Sequence, residues 1–187
     1  MKIIQLETPR LLLREGRVED AARIATYLTA NHAFHAPFEP ERPADYFTKQ
    51  YWEKRIPEDL QHTQDGKSLR LYLLEKPLLD VPIGVIHFSN ITRGVFQACH
   101  VGYDLGEHHQ KKGFMTEGLG KAIEFIFTDW NLHRIMAAHL TDNPSSGSVL
   151  RRLGFTVEGT ARKYLQIKGD WRDHTLTSLV NEKWRAV

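Results

Sequence analysis

Cysteine is almost absent from this sequence, because Cys99 is the single one among 187 residues. One cysteine excludes an internal disulfide and any zinc site built from several thiolates, and it is typical of a reducing compartment. Long apolar runs are missing as well. Neither a signal peptide nor a membrane-spanning stretch of about 20 apolar residues can be read from the sequence. We therefore expect a cytoplasmic protein that does not use a membrane.

A strong excess of one charge is also missing. The 25 Lys and Arg residues nearly balance the 23 Asp and Glu residues, which leaves a formal net charge of +2. Non-specific nucleic-acid binding needs a large positive surplus, so neither it nor direct sequence-specific recognition is expected. With 41% hydrophobic and 26% charged residues, and without repeats or linkers, the composition is typical of one globular domain over residues 1–187.

The spacing of apolar residues predicts an α+β fold, with a mixed, mainly antiparallel central sheet flanked by helices. Strands are predicted at 11–13, 69–74, 83–90, 96–105, 134–140, 156–158, 164–167 and 173–180. Helices are predicted over 18–31, 45–56, 113–130 and 145–153. A loop is expected over 32–43, and Lys168 to Asp170 is expected to form a hairpin turn.

A polar loop before the helix at 113–130 carries the first chemical signal. The N–H groups at a helix N-terminus have no helical partner and attract anions, and glycine at Gly113 lets a phosphate approach the backbone. Lys111 and Lys112 add positive charge beside it. A pyrophosphate is the expected guest, yet the loop has neither the P-loop pattern nor the glycine pattern of dinucleotide-binding folds.

Gln110 to Met115 resembles the Gln/Arg-x-x-Gly-x-Gly/Ala motif of the GNAT N-acetyltransferases, although Met115 stands where that family has a small residue. Asn143 and Ser146 open a second predicted helix, which Gly154-Phe155 closes, and this arrangement looks like the second half-site of the family. Two half-motifs at the expected separation, each on the expected element, indicate the GNAT fold.

The resemblance implies acetyl-CoA as co-substrate, no metal, and roles for individual residues. Its implied cofactor contacts are Leu105, Gln110, Lys111, Lys112, Gly113, Phe114, Met115, Thr116, Asn143 and Ser146. A splayed strand in the family places the backbone of 103–105 along the acetyl-pantetheine, so that an N–H near Tyr103 holds the developing oxyanion. Ser146 is the candidate catalytic donor to the departing thiolate, with Tyr103 or Tyr164 as alternatives.

The general base is left open. A related enzyme type has a glutamate where this sequence has Leu165. The alternatives are Glu107, Glu117, Asp173 and a chain of waters. The base only has to take a proton from an ammonium of moderate acidity, since an α-amine has a pKa of about 7.7–8.0.

Two further residue types are predicted to have no chemical role. Cys99 is expected to be a buried apolar residue rather than a nucleophile, because His100 points to the other face of the strand. His108 and His109 are not expected to bind a metal, since adjacent histidines diverge on an extended loop and lack further ligands nearby.

Several further segments are distinctive: Thr8–Leu11, Pro37–Pro40, Phe88–Asn90, Arg93-Gly94, Gly113–Glu117, His133–Ala137 and Gly169–His174. Through them the sequence, from about residue 8 to 184, looks like the RimJ-type ribosomal-protein alanine N-acetyltransferases. The implied acceptor is the N-terminal alanine of a small-subunit ribosomal protein, free or on the ribosome. The implied substrate contacts are Phe38 (Trp in close relatives), Asn90, Arg93 and Trp171.

Two alternatives to this acceptor are open at the level of sequence. One is an acetyltransferase for a small-molecule amine, since a fold alone does not choose the substrate. The other is a non-catalytic acetyl-CoA-binding factor in ribosome assembly, which Met115 and Leu165 would favour.

Overall fold

An eight-stranded sheet forms the centre of the protein in a computed structural model that describes residues 3–186. The strands are β1 (Gln5–Glu7), β2 (Leu11–Arg14), β3 (Leu69–Glu75), β4 (Gly84–Thr92), β5 (Ala98–Leu105), β6 (Arg134–Leu140), β7 (Thr156–Ile167) and β8 (Asp170–Val180). They lie in the order β1-β2-β3-β4-β5-β6-β8-β7, and only β5 and β6 run parallel. The predicted mixed, mainly antiparallel sheet is confirmed.

Helices cover both faces of this sheet. They are α1 (Ala21–His35), α2 (Lys49–Gln64), α3 (Phe114–Thr128) and α4 (Pro144–Arg152). Leu71 and Leu73 of β3 lie in the core under α3 and α4, whereas Tyr72 between them packs with α1 and α2. This alternation is the period-two pattern of a strand that is buried on both sides. Among residues 3–186, no helix is long and apolar enough to cross a membrane.

Three elements near the N-terminus differ from the prediction. β1 was missed because it is a three-residue, half-exposed edge strand with little apolar pattern. α1 continues through the first part of the predicted loop and ends at His35. α2 was predicted to stop at Ile56, yet it includes Pro57 and ends at Gln64. The packing of Trp52 and Ile56 in the core outweighs the single helical hydrogen bond that a proline removes.

The two strands predicted at 156–158 and 164–167 form one strand, β7. Bulges at Val157/Gly159 and Ala161/Leu165 interrupt its pairing with β8, so the apolar alternation is lost although the strand continues. At the second bulge, the N–H of Lys163 donates to the carboxylate of Asp173 (2.8 Å), which gives Asp173 a structural partner. The predicted hairpin turn is confirmed, with Lys168 and Gly169 both at positive φ.

Candidate functional site

Strands β5 and β6 separate in the middle of the sheet. Their parallel pairing consists of Ala98 with Arg134, Cys99 with Ile135, and His100 with Met136. Beyond His100, β5 remains paired with β4 as far as Leu105, and β6 remains paired with β8 as far as Leu140. The β6-facing edge of β5 from 101 to 105 therefore borders an opening between the strands, which we call the wedge. Such a strand edge is a ready hydrogen-bonding partner for an extended chain that carries amides.

The start of α3 lies beyond the wide end of the wedge. Gly113 immediately precedes the helix and has a φ of +80°, a left-handed conformation that glycine adopts without strain. The side-chain amide of Gln110 donates to the carbonyl of Leu105 (2.7 Å), which folds the loop back onto the end of β5. Lys111, Lys112 and Gly113 are exposed. The first N–H groups of α3 and two lysines thus form a positive surface beside the wedge.

Tyr103 and Ser146 meet on the α4 face of the wedge, although they are 43 residues apart. The phenol oxygen lies 2.8 Å from Ser146 Oγ and 3.1 Å from the carbonyl oxygen of Ser146. Asn143 caps α4, because its Oδ1 accepts a hydrogen bond from the N–H of Ser146 (3.1 Å). Burial raises the pKa of Tyr103 to about 12, and the hydrogen bond with Ser146 acts in the opposite direction. At neutral pH this pair therefore keeps a proton available for donation.

Residues 10–156 match the family model for the acetyltransferase (GNAT) domain. The chain belongs to the GNAT acetyltransferase family. It is 39% identical to the [ribosomal protein uS5]-alanine N-acetyltransferase of Escherichia coli K12 over 97% of this chain and 93% of that protein. The RimJ-type likeness inferred from the sequence is confirmed by this match.

Solved structures agree with the family assignment. The ribosomal-protein-S5-alanine acetyltransferase of Vibrio fischeri superposes with a TM-score of 0.94 at 38% identity, covering 98% of this chain and 100% of that chain. Mycobacterium smegmatis RimJ, in complex with a CoA disulfide, superposes with a TM-score of 0.87 at 26% identity, covering 97% and 88% of the two chains. GNAT acetyltransferases use acetyl-CoA, so acetyl-CoA is the acyl donor of this one.

Met115 departs from the GNAT motif without obstructing the start of α3. Its side chain is 4% exposed and packs in the main core beside Phe114. The extra bulk relative to a small residue is thus directed into the protein, away from the exposed surface of 111–113. This geometry removes one of the two sequence features that favoured a non-catalytic protein.

A clamp from the N-terminal segment fixes the start of α3, and it was missed in the sequence. Arg10 contacts Glu117 through Nε and Nη2 (2.6 Å each), donates to the carbonyl of Lys112 (2.9 Å), and lies over the ring of Phe114. Thr8 also donates to Glu117 (2.6 Å). Burial would raise the pKa of Glu117, but these hydrogen bonds and the Arg10 charge lower it. Glu117 is therefore an ionised anchor of the helix and a poor candidate for the base.

Asp104 is a carboxylate that the sequence analysis did not name. It follows Tyr103 on β5 and pairs with Val85 of β4, which packs in the core of α1 and α2. Its Oδ1 accepts a hydrogen bond from the phenol of Tyr27 on α1 (2.5 Å). Asp104 and Tyr103 therefore face opposite sides of the sheet at the wedge. The signal that could have revealed Asp104 is a charged residue inside an otherwise apolar strand.

Phe38 and Trp171, two of the predicted substrate residues, lie on segments at the wide end of the wedge. Phe38 follows α1, whose last residue, His35, has Nε2 3.0 Å from the carbonyl oxygen of Leu105. Trp171 lies on the β7–β8 hairpin, beyond the end of β6. The Phe38 and Trp171 side chains are 42% and 60% exposed, so both are accessible to a bound chain.

Asn90 and Arg93, the other two predicted substrate residues, lie at the closed end of the wedge, away from Phe38 and Trp171. Asn90 is at the bulge of β4, near the start of β5. Arg93 donates to the carbonyl of Trp130 (2.6 Å), just past the C-terminus of α3. A 15-residue helix is about 22 Å long, so Arg93 lies far from the start of α3. The contacts of Arg93 therefore indicate a structural role.

Cys99 and His109 make contacts that indicate structural rather than catalytic roles. Cys99 is fully buried, and burial raises its pKa to about 12, so it has no thiolate character at neutral pH. His109 contacts the ring of Phe114 and lies 3.6 Å from Glu75. Within residues 3–186, no group of three His, Cys, Asp or Glu side chains is arranged to hold a metal ion.

Proposed function

We propose that this protein transfers the acetyl group of acetyl-CoA to the N-terminal alanine of ribosomal protein uS5. The observation that carries the proposal is the 39% identity with the E. coli enzyme of that name, which spans 97% of this chain. The 0.94 TM-score to the V. fischeri S5-alanine acetyltransferase supports it in three dimensions. A single-domain organisation and a cytoplasmic location, both expected from the sequence, belong to the same proposal.

The wedge and the start of α3 support one binding mode for acetyl-CoA. The pantetheine amides pair with the free edge of β5 at 101–105, and the pyrophosphate lies at the N-terminus of α3 between Lys111 and Lys112. The Gln110 side chain holds the loop in place for this contact, and the buried Phe114 anchors the first turn. Leu105 and Asn143 shape the binding site. The Leu105 carbonyl and the Asn143 side chain already form hydrogen bonds within the protein, so these groups do not need to bind acetyl-CoA directly.

Tyr103 and Ser146 supply the groups that the transfer itself needs. A backbone N–H near Tyr103 on the wedge edge donates to the thioester carbonyl and stabilises the oxyanion as the amine attacks. The C–S bond then breaks, and the departing thiolate takes a proton from the Tyr103–Ser146 pair. Proton donation lowers the barrier because the thiolate would otherwise leave into a poorly hydrated site.

Two segments are placed to hold the acceptor peptide. The loop after α1 carries Phe38, and the β7–β8 hairpin carries Trp171. They approach each other, because a Cβ added at Gly169 would lie 3.8 Å from the carboxylate of Glu41. A peptide N-terminus entering between them reaches the wedge from the α1 face of the sheet.

The acceptor is tested with peptides that differ only in their first residue. A peptide with the N-terminal sequence of uS5 is expected to be acetylated at least about 10-fold more efficiently than matched peptides starting in Ser or Met, because side-chain pockets discriminate by such factors. CoA release measures kcat/KM, and an N-terminally blocked peptide is the control for lysine acetylation. Turnover confined to small amines, or equal turnover of the blocked peptide, contradicts the proposal.

The pyrophosphate position is tested with an isosteric pair at Gly113. Asn and Asp both tolerate the left-handed conformation, so Gly113→Asn and Gly113→Asp carry similar backbone cost and differ in one negative charge. Gly113→Asp is expected to bind acetyl-CoA about 10-fold more weakly than Gly113→Asn, because its carboxylate repels the pyrophosphate. Calorimetric titration measures both affinities. Equal affinities would show that the pyrophosphate binds elsewhere.

A further inference from the structure

Asp104 is a carboxylate that lies largely within the protein and, within residues 3–186, forms no ion pair with a cationic side chain. Two well-buried acids pair with arginine, Asp20 with Arg14 (2.6 Å) and Asp59 with Arg70 (2.9 Å), whereas the buried Glu15 accepts a hydrogen bond from the N–H of Ile4 (2.8 Å). Among the side chains of residues 3–186, none of the ion pairs within 4 Å includes Asp104. Its close partner is the Tyr27 phenol. A largely buried carboxylate without a direct ion pair costs stability, which marks it as a candidate for function.

The position of Asp104 places it on the acceptor side of the wedge. It lies between Tyr103 and Leu105 on the part of β5 that has left β6. Tyr103 reaches Ser146 on α4, whereas Asp104 reaches Tyr27 on α1. A thioester carbonyl bound at this edge therefore has a proton donor on one face and a carboxylate on the other. An amine that approaches from the α1 face meets Asp104 first.

We propose that Asp104 is the general base of the transfer, with Tyr27 holding its carboxylate in place. This assignment rests on the proposed function. The carboxylate takes one proton from the acceptor ammonium and passes it to solvent. The free amine then attacks, so that the C–N bond forms and the C–S bond breaks. The thiolate takes a proton from the Tyr103–Ser146 pair. The nitrogen loses its second proton as the amide forms, and this proton restores the Tyr103–Ser146 pair. Amide, CoA thiol and the one proton released through Asp104 result.

The surroundings of Asp104 suit this task. Burial raises its pKa to about 6; the neighbouring Glu39 also raises it, while His35, the Tyr27 hydrogen bond and Arg70 lower it. The charged and titratable groups that sense its charge come from α1, the following loop and β3: Tyr27, His35, Glu39, Tyr46, Arg70 and Tyr72. At pH 7 the group is mainly ionised. Proton transfer from an α-ammonium of pKa about 7.7–8.0 is unfavourable by roughly 10²-fold, which a fast pre-equilibrium tolerates.

Asp104→Asn tests the base through the pH profile of kcat/KM on the uS5 peptide. The wild-type acid limb is expected near pH 6, where Asp104 loses its proton. In the variant only the free amine reacts, so the limb is expected to move to about 7.7–8.0, the pKa of the α-amine. Because only about a tenth of such an amine is free at pH 7, the rate there is expected to fall about 10-fold, with recovery toward pH 9. Acetyl-CoA affinity is expected to remain unchanged.

Two further variants separate catalysis from structure. Tyr27→Phe removes the hydrogen bond that lowers the pKa of Asp104 but keeps the carboxylate. The acid limb is therefore expected to shift to a higher pH than in the wild type, while most activity is retained. Asp129→Asn removes an exposed carboxylate beyond α3 and is expected to match the wild type. An Asp104→Asn limb still near pH 6, or an equal rate loss at every pH, overturns the base assignment while the acceptor proposal stands.

The range of amines that the wild-type enzyme acetylates distinguishes a failure of the uS5 proposal from a failure of the base assignment. If it acetylates only small amines, the uS5 proposal fails, and the same shift of the limb on those amines still supports Asp104. If it acetylates no amine at all despite binding acetyl-CoA, the proposed function is overturned and the base role with it.

Discussion

Tyr103→Phe is expected to lower kcat for acetyl transfer by about 10²–10³-fold, within the range of a lost general acid. Phe keeps the ring and its packing but removes the hydroxyl that lies 2.8 Å from Ser146 Oγ. The burial that raises the pKa of Tyr103 to about 12 also means that the departing thiolate has little water to protonate it. Single-turnover acetylation at saturating acetyl-CoA measures the chemical step directly.

Two related variants sharpen this test. Ser146→Ala is expected to cost less than Tyr103→Phe, because the phenol keeps its contact with the Ser146 carbonyl oxygen (3.1 Å) and a water replaces the lost hydroxyl. Tyr164→Phe examines the other tyrosine that the sequence allows as donor. A large loss in Tyr164→Phe together with a normal rate in Tyr103→Phe would reverse the assignment. Acetyl-CoA affinity should be unchanged in Tyr103→Phe and Tyr164→Phe.

The sequence predicts the elements that have a strong periodic pattern or a short motif. Gly113 before α3 and Asn143 at the cap of α4 are local signals, since each is set by the backbone of the element it begins. For the same reason the two half-motifs indicated the correct family before any contact was known. β1 and the bulged β7 lack such a pattern, because an exposed edge strand imposes little constraint on its side chains.

The contacts that complete the candidate site are long-range and leave little local trace. Tyr27 and Asp104 are 77 residues apart, and Arg10 and Glu117 are 107 residues apart. Neither pair has a recognisable spacing, so Glu117 was weighed as a base when it is a clamp. The predicted substrate contacts also depend on long-range placement that the sequence does not reveal. A likeness between segments indicated Asn90 and Arg93 without showing that they lie at the closed end of the wedge.

The site depends on α1 keeping a fixed position over the sheet, and a buried ion pair at the start of that helix secures it. Arg14 at the end of β2 binds Asp20 with two bonds of 2.6 and 2.9 Å, and Asp20 also accepts the N–H of Arg17 (2.8 Å). Arg14 and Asp20 are 8% and 6% exposed. Further along α1, Tyr27 contacts Asp104, so a shift of the helix would move the proposed base.

Asp20→Asn is expected to destabilise the protein by about 3–5 kcal/mol, because it leaves the buried guanidinium of Arg14 without a counter-charge. Asp80→Asn is the matched control. Asp80 is 67% exposed and pairs with Arg23, so its loss is expected to change the free energy of unfolding by less than about 0.5 kcal/mol. Urea unfolding monitored by tryptophan fluorescence measures both changes, and a cost for Asp20→Asn no larger than the control would contradict the prediction.

The difference in the free energy of unfolding between the wild type and Asp20→Asn is expected to depend on pH, because it comes from the ion pair of Asp20 with Arg14. Burial alone would raise the pKa of Asp20, but the bonds from Arg14 and Arg17 and the Arg14 charge outweigh it and lower the pKa. A carboxyl whose pKa is lower in the folded state stabilises that state above its unfolded value of about 3.9, and this contribution is lost as the pH falls through the folded value. The wild type should therefore lose its advantage over Asp20→Asn as the pH falls below about 4. Unfolding curves for the two proteins at pH 7, 5 and 3 test this convergence, and a difference that stays constant to pH 3 would show that the Asp20 charge is not its source.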